Sequence, residues 1–126
     1  MSNGTVKGNT ASNGGGGIRV VGSSMPFSGC TVSDNFSQWG GGISVTNSTI
    51  NLKSGTIQNN TSYWCGGIYL SASSNDEYSQ PTVLNMTGGT VSSNTANQTV
   101  EESILGHLQN LHKLEVVYLE THQIML

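Results

Sequence analysis

Apolar residues recur along this chain with a period close to 25 and, within each period, alternate with polar ones. Gly17, Gly42 and Gly67 each precede an Ile, and Ile18, Ile43 and Ile68 are followed two residues on by Val20, Val45 and Leu70. Strict alternation over a few residues marks a strand with one buried face. A second strand repeats as Met25-Pro-Phe27, Ile50-Asn-Leu52 and Leu84-Asn-Met86, and a third centres on Val6, Val32, Ile57 and Val91. The step from the second strand to the third stays the same: Phe27 to Val32, Leu52 to Ile57, Met86 to Val91. Stacked coils at ~4.8 Å spacing keep such offsets, because each coil sets like residues on like. The pattern predicts an all-β chain of about three coils, each with three short strands and its apolar side chains turned inward.

Asn9, Asn35, Asn60 and Asn94 each follow the third-strand apolar residue by the same step. Asn tolerates the left-handed backbone region, and stacked amides bond one another along an axis. This column reads as a structural ladder. The Gly runs 14–17, 40–42 and 66–67 read as tight corners; no helix and Lys follow to make a phosphate loop. Thr5, Thr31, Thr56 and Thr90 form an outward column of the kind β-propensity alone produces.

These motifs resemble the repeats of chlamydial polymorphic outer-membrane proteins and related bacterial β-helix surface proteins. The family's Phe-x-x-Asn motif corresponds here to Val6-Lys-Gly-Asn9, Val32-Ser-Asp-Asn35, Ile57-Gln-Asn-Asn60 and Val91-Ser-Ser-Asn94. Its Gly-Gly-Ala-Ile motif corresponds to Gly15-Gly-Gly-Ile18, Gly40-Gly-Gly-Ile43 and Cys65-Gly-Gly-Ile68. This chain has an aliphatic residue for Phe, Gly for Ala, and Cys65 in place of one Gly. The resemblance implies a right-handed parallel β-helix and a non-enzymatic adhesin or autotransporter passenger stalk, at the bacterial surface or secreted. It supplies no catalytic residues, metal or cofactor.

The register fails twice. Leu70 to Leu84 is a longer step than Val20 to Met25 or Val45 to Ile50, which puts an insertion within Ser71–Pro81. Insertions in solenoids become loops, and loops carry binding; Asp76, Glu77 and Tyr78 are the candidates there. The second failure comes near Val100, dividing the chain into repeats over 1–100 and a separate segment over 101–126. All three His and five of the eleven charged residues lie beyond it, but only one of 17 glycines. Ile104, Leu105, Leu108 and Leu111 suit an amphipathic helix starting near Glu101, while Leu114–Leu119 suits helix or strand. This segment reads as a cap over the last coil, as a surface for self-association or a partner, or as an altered reading frame. The sequence leaves all three open.

Charge and chemistry narrow the function. Four Lys or Arg against seven Asp or Glu give a net charge of −3, without the basic face that nucleic acid requires. No apolar run is long enough to span a membrane, and Met1-Ser2-Asn3-Gly4 lacks the charged and apolar regions of a secretory leader. A glycosidase needs two carboxylates about one bond, and Asp34 and Asp76 fall at different coil positions. His107, His112 and His122 match no zinc spacing. Cys30 and Cys65 stand in different columns, so two free thiols are expected rather than a disulfide. Trp39 and Trp64 share a column, with Tyr63 beside it. They form either an aromatic platform for sugar rings or a packed cover over the Gly corner. Three functions remain: a surface module that displays loops and binds a glycan or host surface, a fragment of a carbohydrate-active β-helix lyase or hydrolase, or a structural assembly module.

Overall fold

A computed structural model of the chain describes residues 1–72, 81–97, 117–119 and 124–125. The third-strand column forms one parallel sheet of β1 (Thr5–Lys7), β4 (Cys30–Ser33), β8 (Gly55–Gln58) and β12 (Thr90–Ser92). The Ile column forms a second sheet, in which β2 (Ile18–Val21), β6 (Ile43–Thr46) and β10 (Ile68–Ser71) run parallel. A third sheet holds β3 (Ser24–Phe27), β7 (Thr49–Leu52) and β11 (Thr82–Met86). The pairs Ile18↔Ile43↔Ile68, Val32↔Ile57↔Val91 and Met25↔Ile50↔Leu84 are in the register that the repeat predicts. Phe27, Val32, Ile43, Leu52, Ile68 and Leu84 are fully buried in one continuous core. Pro26 lies on β3, an edge strand of its sheet, where a missing N–H costs no ladder bond.

The second and third coils carry four strands rather than the three expected, and the first coil meets the fourth only through isolated bridges at Thr10 and Gly14. The fourth sheet is β5 (Phe36–Trp39), β9 (Thr61–Trp64) and β13 (Thr95–Ala96). Its inward residues are Ser37 and Ser62, both fully buried, so no apolar alternation announces it. Ser37 Oγ donates to the Trp39 carbonyl at 2.9 Å, and Ser62 Oγ donates likewise to the Trp64 carbonyl. A small hydroxyl that bonds its own strand is inexpensive to bury.

The Asn column forms the expected ladder. Asn9 Nδ2 donates to Asn35 Oδ1 at 3.1 Å, Asn35 Nδ2 to Asn60 Oδ1 at 2.9 Å, and Asn60 Nδ2 to Asn94 Oδ1 at 3.0 Å. The left-handed residue, however, is the one before each Asn: Asp34, Asn59 and Ser93 have φ of 57°, 54° and 55°. That turn points the amide inward along the axis, where it bonds the neighbouring coil.

At the corner before the Ile column, Gly15, Gly40 and Cys65 share a left-handed backbone, with φ of 71°, 63° and 58°. Cys65 is buried, and so is Cys30; both thiols are free, as expected from their separate columns. Burial pushes the Cys65 thiol well above its ordinary value. Because the folded value is raised, the associated stability is complete below the unfolded thiol's value of about 8.5 and falls as pH rises past it. Urea melts of the wild type are therefore expected to lose about 2 kcal/mol between pH 7 and pH 10 from this group. Cys65→Gly, which restores the residue of the other two coils, should flatten that part of the profile. An equal loss in the variant would show that Cys65 does not cause it.

The insertion closes on one side chain. Thr82 Oγ1 donates to the Ser71 carbonyl at 2.5 Å and accepts from Asn47 N at 2.7 Å. The chain thus leaves the coil at Ser71 and returns at Thr82, tied across the gap.

Beyond Asn97 the described segments are two strands. β14 (Val117–Leu119) pairs antiparallel with β11, and β15 (Ile124–Met125) pairs antiparallel with β10. Leu114–Leu119, readable as helix or strand, is therefore strand over its described part. The helix expected from Glu101 through Leu111 lies outside the described residues. A further parallel coil would meet the β10 edge before the β11 edge; this segment meets them in the reverse order and direction. Exposed strand edges are templates for association, so deleting residues 101–126 is expected to give concentration-dependent association in light scattering. An unchanged mass at all concentrations would remove that protective role.

Candidate functional site

The aromatic residues gather where the fourth sheet turns into the Ile sheet. Trp39 and Trp64 end β5 and β9 in register, and their rings stack at 5.4 Å between centroids with 13° between planes. Tyr69, the outward residue of β10, lies 5.3 Å from the Trp39 ring at a tilt of 42°. Trp64 and Tyr69 both belong to the third coil. In the first coil the residue opposite Trp39 is Gly14, joined to it by a parallel bridge. Gly14 has no side chain to continue the stack, and it borders an opening together with Trp39.

That opening is a cleft of about 320 Å³. Asn13, Gly14 and Arg19 border it in the first coil, and Ser44, Thr46, Tyr69 and Ser71 border it in the second and third. Arg19, Ser44 and Tyr69 are one outward column, each a residue after the inward Ile. Burial pushes the Tyr69 phenol above its usual value, partly offset by its hydrogen bond to Ser71. The phenol therefore remains a neutral hydrogen-bonding group at neutral pH.

The structure brings together only part of the set expected from sequence. Trp39 and Trp64 combine features of both readings, since they pack on each other and Trp39 still borders a cleft. Tyr63 lies apart, on the outer face of β9, 45% exposed, with its ring edge-on to Phe36 at 5.8 Å. Asp76, Glu77 and Tyr78 lie outside the described residues. Arg19, Tyr69 and the hydroxyls of Ser44, Thr46 and Ser71 were not anticipated. The one signal for Arg19 and Tyr69 was their place in the repeat, a position read only for its inward neighbours. A second, smaller cleft of about 280 Å³ lies at the mouth of the insertion, between Gly22–Ser24, Asn47–Thr49 and Pro81.

Asp34 is the one carboxylate side chain among the described residues, and it pairs with Lys7 at 3.6 Å. Among the described residues, no three His, Cys, Asp or Glu stand together as metal ligands. No helix among them is long and apolar enough to cross a membrane.

The family described as the right handed beta helix region matches residues 1–110. The chain belongs to the right-handed β-helix family. No curated protein and no solved structure matches it significantly. Right-handed winding is the normal hand for parallel strands joined by crossovers, and the β-helix here places its aromatic stack and cleft on an outer corner of that winding.

Proposed function

We propose that this β-helix is a non-enzymatic surface module, a length of bacterial adhesin or autotransporter-like passenger stalk, that binds glycan on the face carrying Trp39. The cleft that Trp39 borders together with hydroxyl-bearing side chains carries this reading. An indole face takes the C–H side of a pyranose while neighbouring polar groups meet the ring hydroxyls. The stacked coils hold Trp39 rigidly, because its ring is braced by Trp64 and Tyr69. The resemblance of the Asn and Gly motifs to those of bacterial surface proteins supports a location at the cell surface or outside the cell. Asp34, the one carboxylate side chain among the described residues, stands beside Lys7 rather than a second carboxylate.

Titrating the full chain with a panel of plant, bacterial and host oligosaccharides tests the reading. Saturable binding is expected, weakened about tenfold by Trp39→Ala. Binding that survives replacement of both Trp39 and Trp64 would remove the platform. Specific cleavage of a polysaccharide, abolished by Asp34→Asn or Asp76→Asn, would replace the surface-module reading with that of an enzyme.

A further inference from the structure

The first coil carries a reactive pair of residues at the rim of the cleft. Asn3-Gly4 and Asn13-Gly14 are the places where Asn precedes Gly in this chain, each after a Ser. At such a pair the Gly nitrogen can attack the Asn side-chain carbonyl, because no Cβ crowds the ring that closes. The reaction needs a free side-chain amide, a free nitrogen and rotation about the Asn Cα–C bond. Asn13 is exposed, and its side chain makes no hydrogen bond among the described residues. Gly14 N donates to no group there either, since the bridge to Trp39 uses the Asn13 carbonyl and Gly15 N.

Backbone contacts prepare that nitrogen. The Asn13 carbonyl accepts from Gln38 N at 2.9 Å and from Trp39 N at 3.1 Å. Two donors on the carbonyl draw electron density from the peptide unit, so Gly14 N gives up its proton more readily. The same bonds pin the peptide plane to β5. The rotation is then made on the other side of the bond, where Ser12 is exposed and neither Ser12 N nor Asn13 N donates a bond. Asn3-Gly4 lacks this arrangement. Asn3 N donates to the Ser28 carbonyl at 3.0 Å, and the Gly4 carbonyl accepts from Thr31 N at 2.8 Å. Asn3 also has φ of 51°, and in the left-handed region its Cβ stands opposite the following nitrogen.

We infer that Asn13-Gly14 is a self-modifying site, at which the folded protein converts Asn13 to aspartate and isoaspartate. Gly14 N loses its proton to hydroxide and bonds to Asn13 Cγ. The bond from Cγ to the side-chain nitrogen breaks, and ammonia leaves with a proton taken from water. Water then opens the cyclic imide at Cγ, giving aspartate, or at the backbone carbonyl, giving isoaspartate. No atom is oxidised or reduced. Either product adds a carboxylate to a cleft that Arg19 also borders, and makes the net charge of −3 one unit more negative. Isoaspartate also lengthens the main chain where it meets Trp39. The first-coil border of the cleft therefore changes as the protein ages.

The test incubates the full chain at neutral and mildly alkaline pH, both folded and in urea. Ion-exchange chromatography, ammonia release and peptide mapping by mass spectrometry follow the conversion. A more acidic form should accumulate with equimolar ammonia, faster at the higher pH, with isoaspartate at residue 13. In the folded protein Asn3 should convert about tenfold or more slowly, because the bond from its N–H must break first. In urea the two pairs should converge. Asn13→Gln changes an exposed side chain without bonds, so it should abolish the acidic form and leave circular dichroism unaltered. An unmodified Asn13 in aged, folded protein overturns the assignment. Equal conversion of Asn3 and Asn13 in the folded state overturns it too, as does a difference that persists in urea, since either makes the dipeptide rather than the fold responsible.

Discussion

Asn60→Ala is expected to remove about 3–5 kcal/mol of stability in urea denaturation, enough to unfold much of the protein at moderate temperature. Asn60 is fully buried and makes four side-chain bonds. Its Oδ1 accepts from Asn35 N at 3.0 Å and from Asn35 Nδ2 at 2.9 Å. Its Nδ2 donates to the Val32 carbonyl and to Asn94 Oδ1, each at 3.0 Å. Alanine leaves the Asn35 backbone N–H without this acceptor, takes one of the two bonds of Asn35 Nδ2, removes the donor from the buried Val32 carbonyl, and leaves Asn94 Oδ1 only its bond from Asn60 N. An abandoned buried group costs more than a typical bond contributes, because its lost hydration is not returned. Asn9 supplies the internal control. It ends the column at an exposed position, so Asn9→Ala should cost no more than about 1 kcal/mol. Equal losses at Asn9 and Asn60 would mean that the amides act individually by local turn preference, and that the buried ladder adds nothing.

Gly41→Ala should be at least as damaging, for a different reason. A Cβ on Gly41 would sit 2.4 Å from the Thr61 carbonyl oxygen and 2.7 Å from that of Gly66. Both are backbone atoms of the next coil, and they cannot swing aside as a side chain does. The coils would have to part locally, breaking ladder bonds such as Gly41 N to the Cys65 carbonyl. The expected loss exceeds about 3 kcal/mol, read as a large drop in melting temperature or in the yield of folded protein. Gly22→Ala separates crowding from backbone strain. Gly22 has φ of 59° but no atom within 4 Å of its would-be Cβ. That substitution should cost about 1 kcal/mol, from the left-handed conformation alone. Similar losses at both positions would show that conformation rather than coil spacing governs the glycine corner.

The asparagine ladder and the glycine corner were visible in the sequence for the same reason as the inward aliphatic columns. In a solenoid, one residue of each repeat meets its counterpart in the next, so a spacing in sequence becomes a contact in space. What escaped were positions where the repeat carries no apolar signal. Ser37 and Ser62 point inward at the fourth sheet, yet they look like loop residues, because their hydroxyls are satisfied within their own strands. The left-handed turn residue changes identity through Gly8, Asp34, Asn59 and Ser93, which hid it behind the constant Asn that follows. Val117–Leu119 was legible only as strand or helix, since its state depends on the unpaired edge of β11.

The candidate site divides along the same line. Trp39 and Trp64 could be paired from the repeat alone, and the structure stacks them. The cleft could not. It lies where Gly14 takes the place of a third Trp in the column, and where Arg19, Ser44 and Tyr69 follow the Ile column by one residue. The sequence by itself determined the coil length, the inward columns, the Asn ladder and the Trp pair. Each follows from a side chain meeting its own equivalent one repeat away. Only the tertiary structure decided the fourth strand, the Thr82 tie across the insertion, the antiparallel edge strands and the cleft at Trp39. Those depend on unlike residues from different coils and sheets meeting at one corner or edge, and no period in the sequence encodes such a meeting.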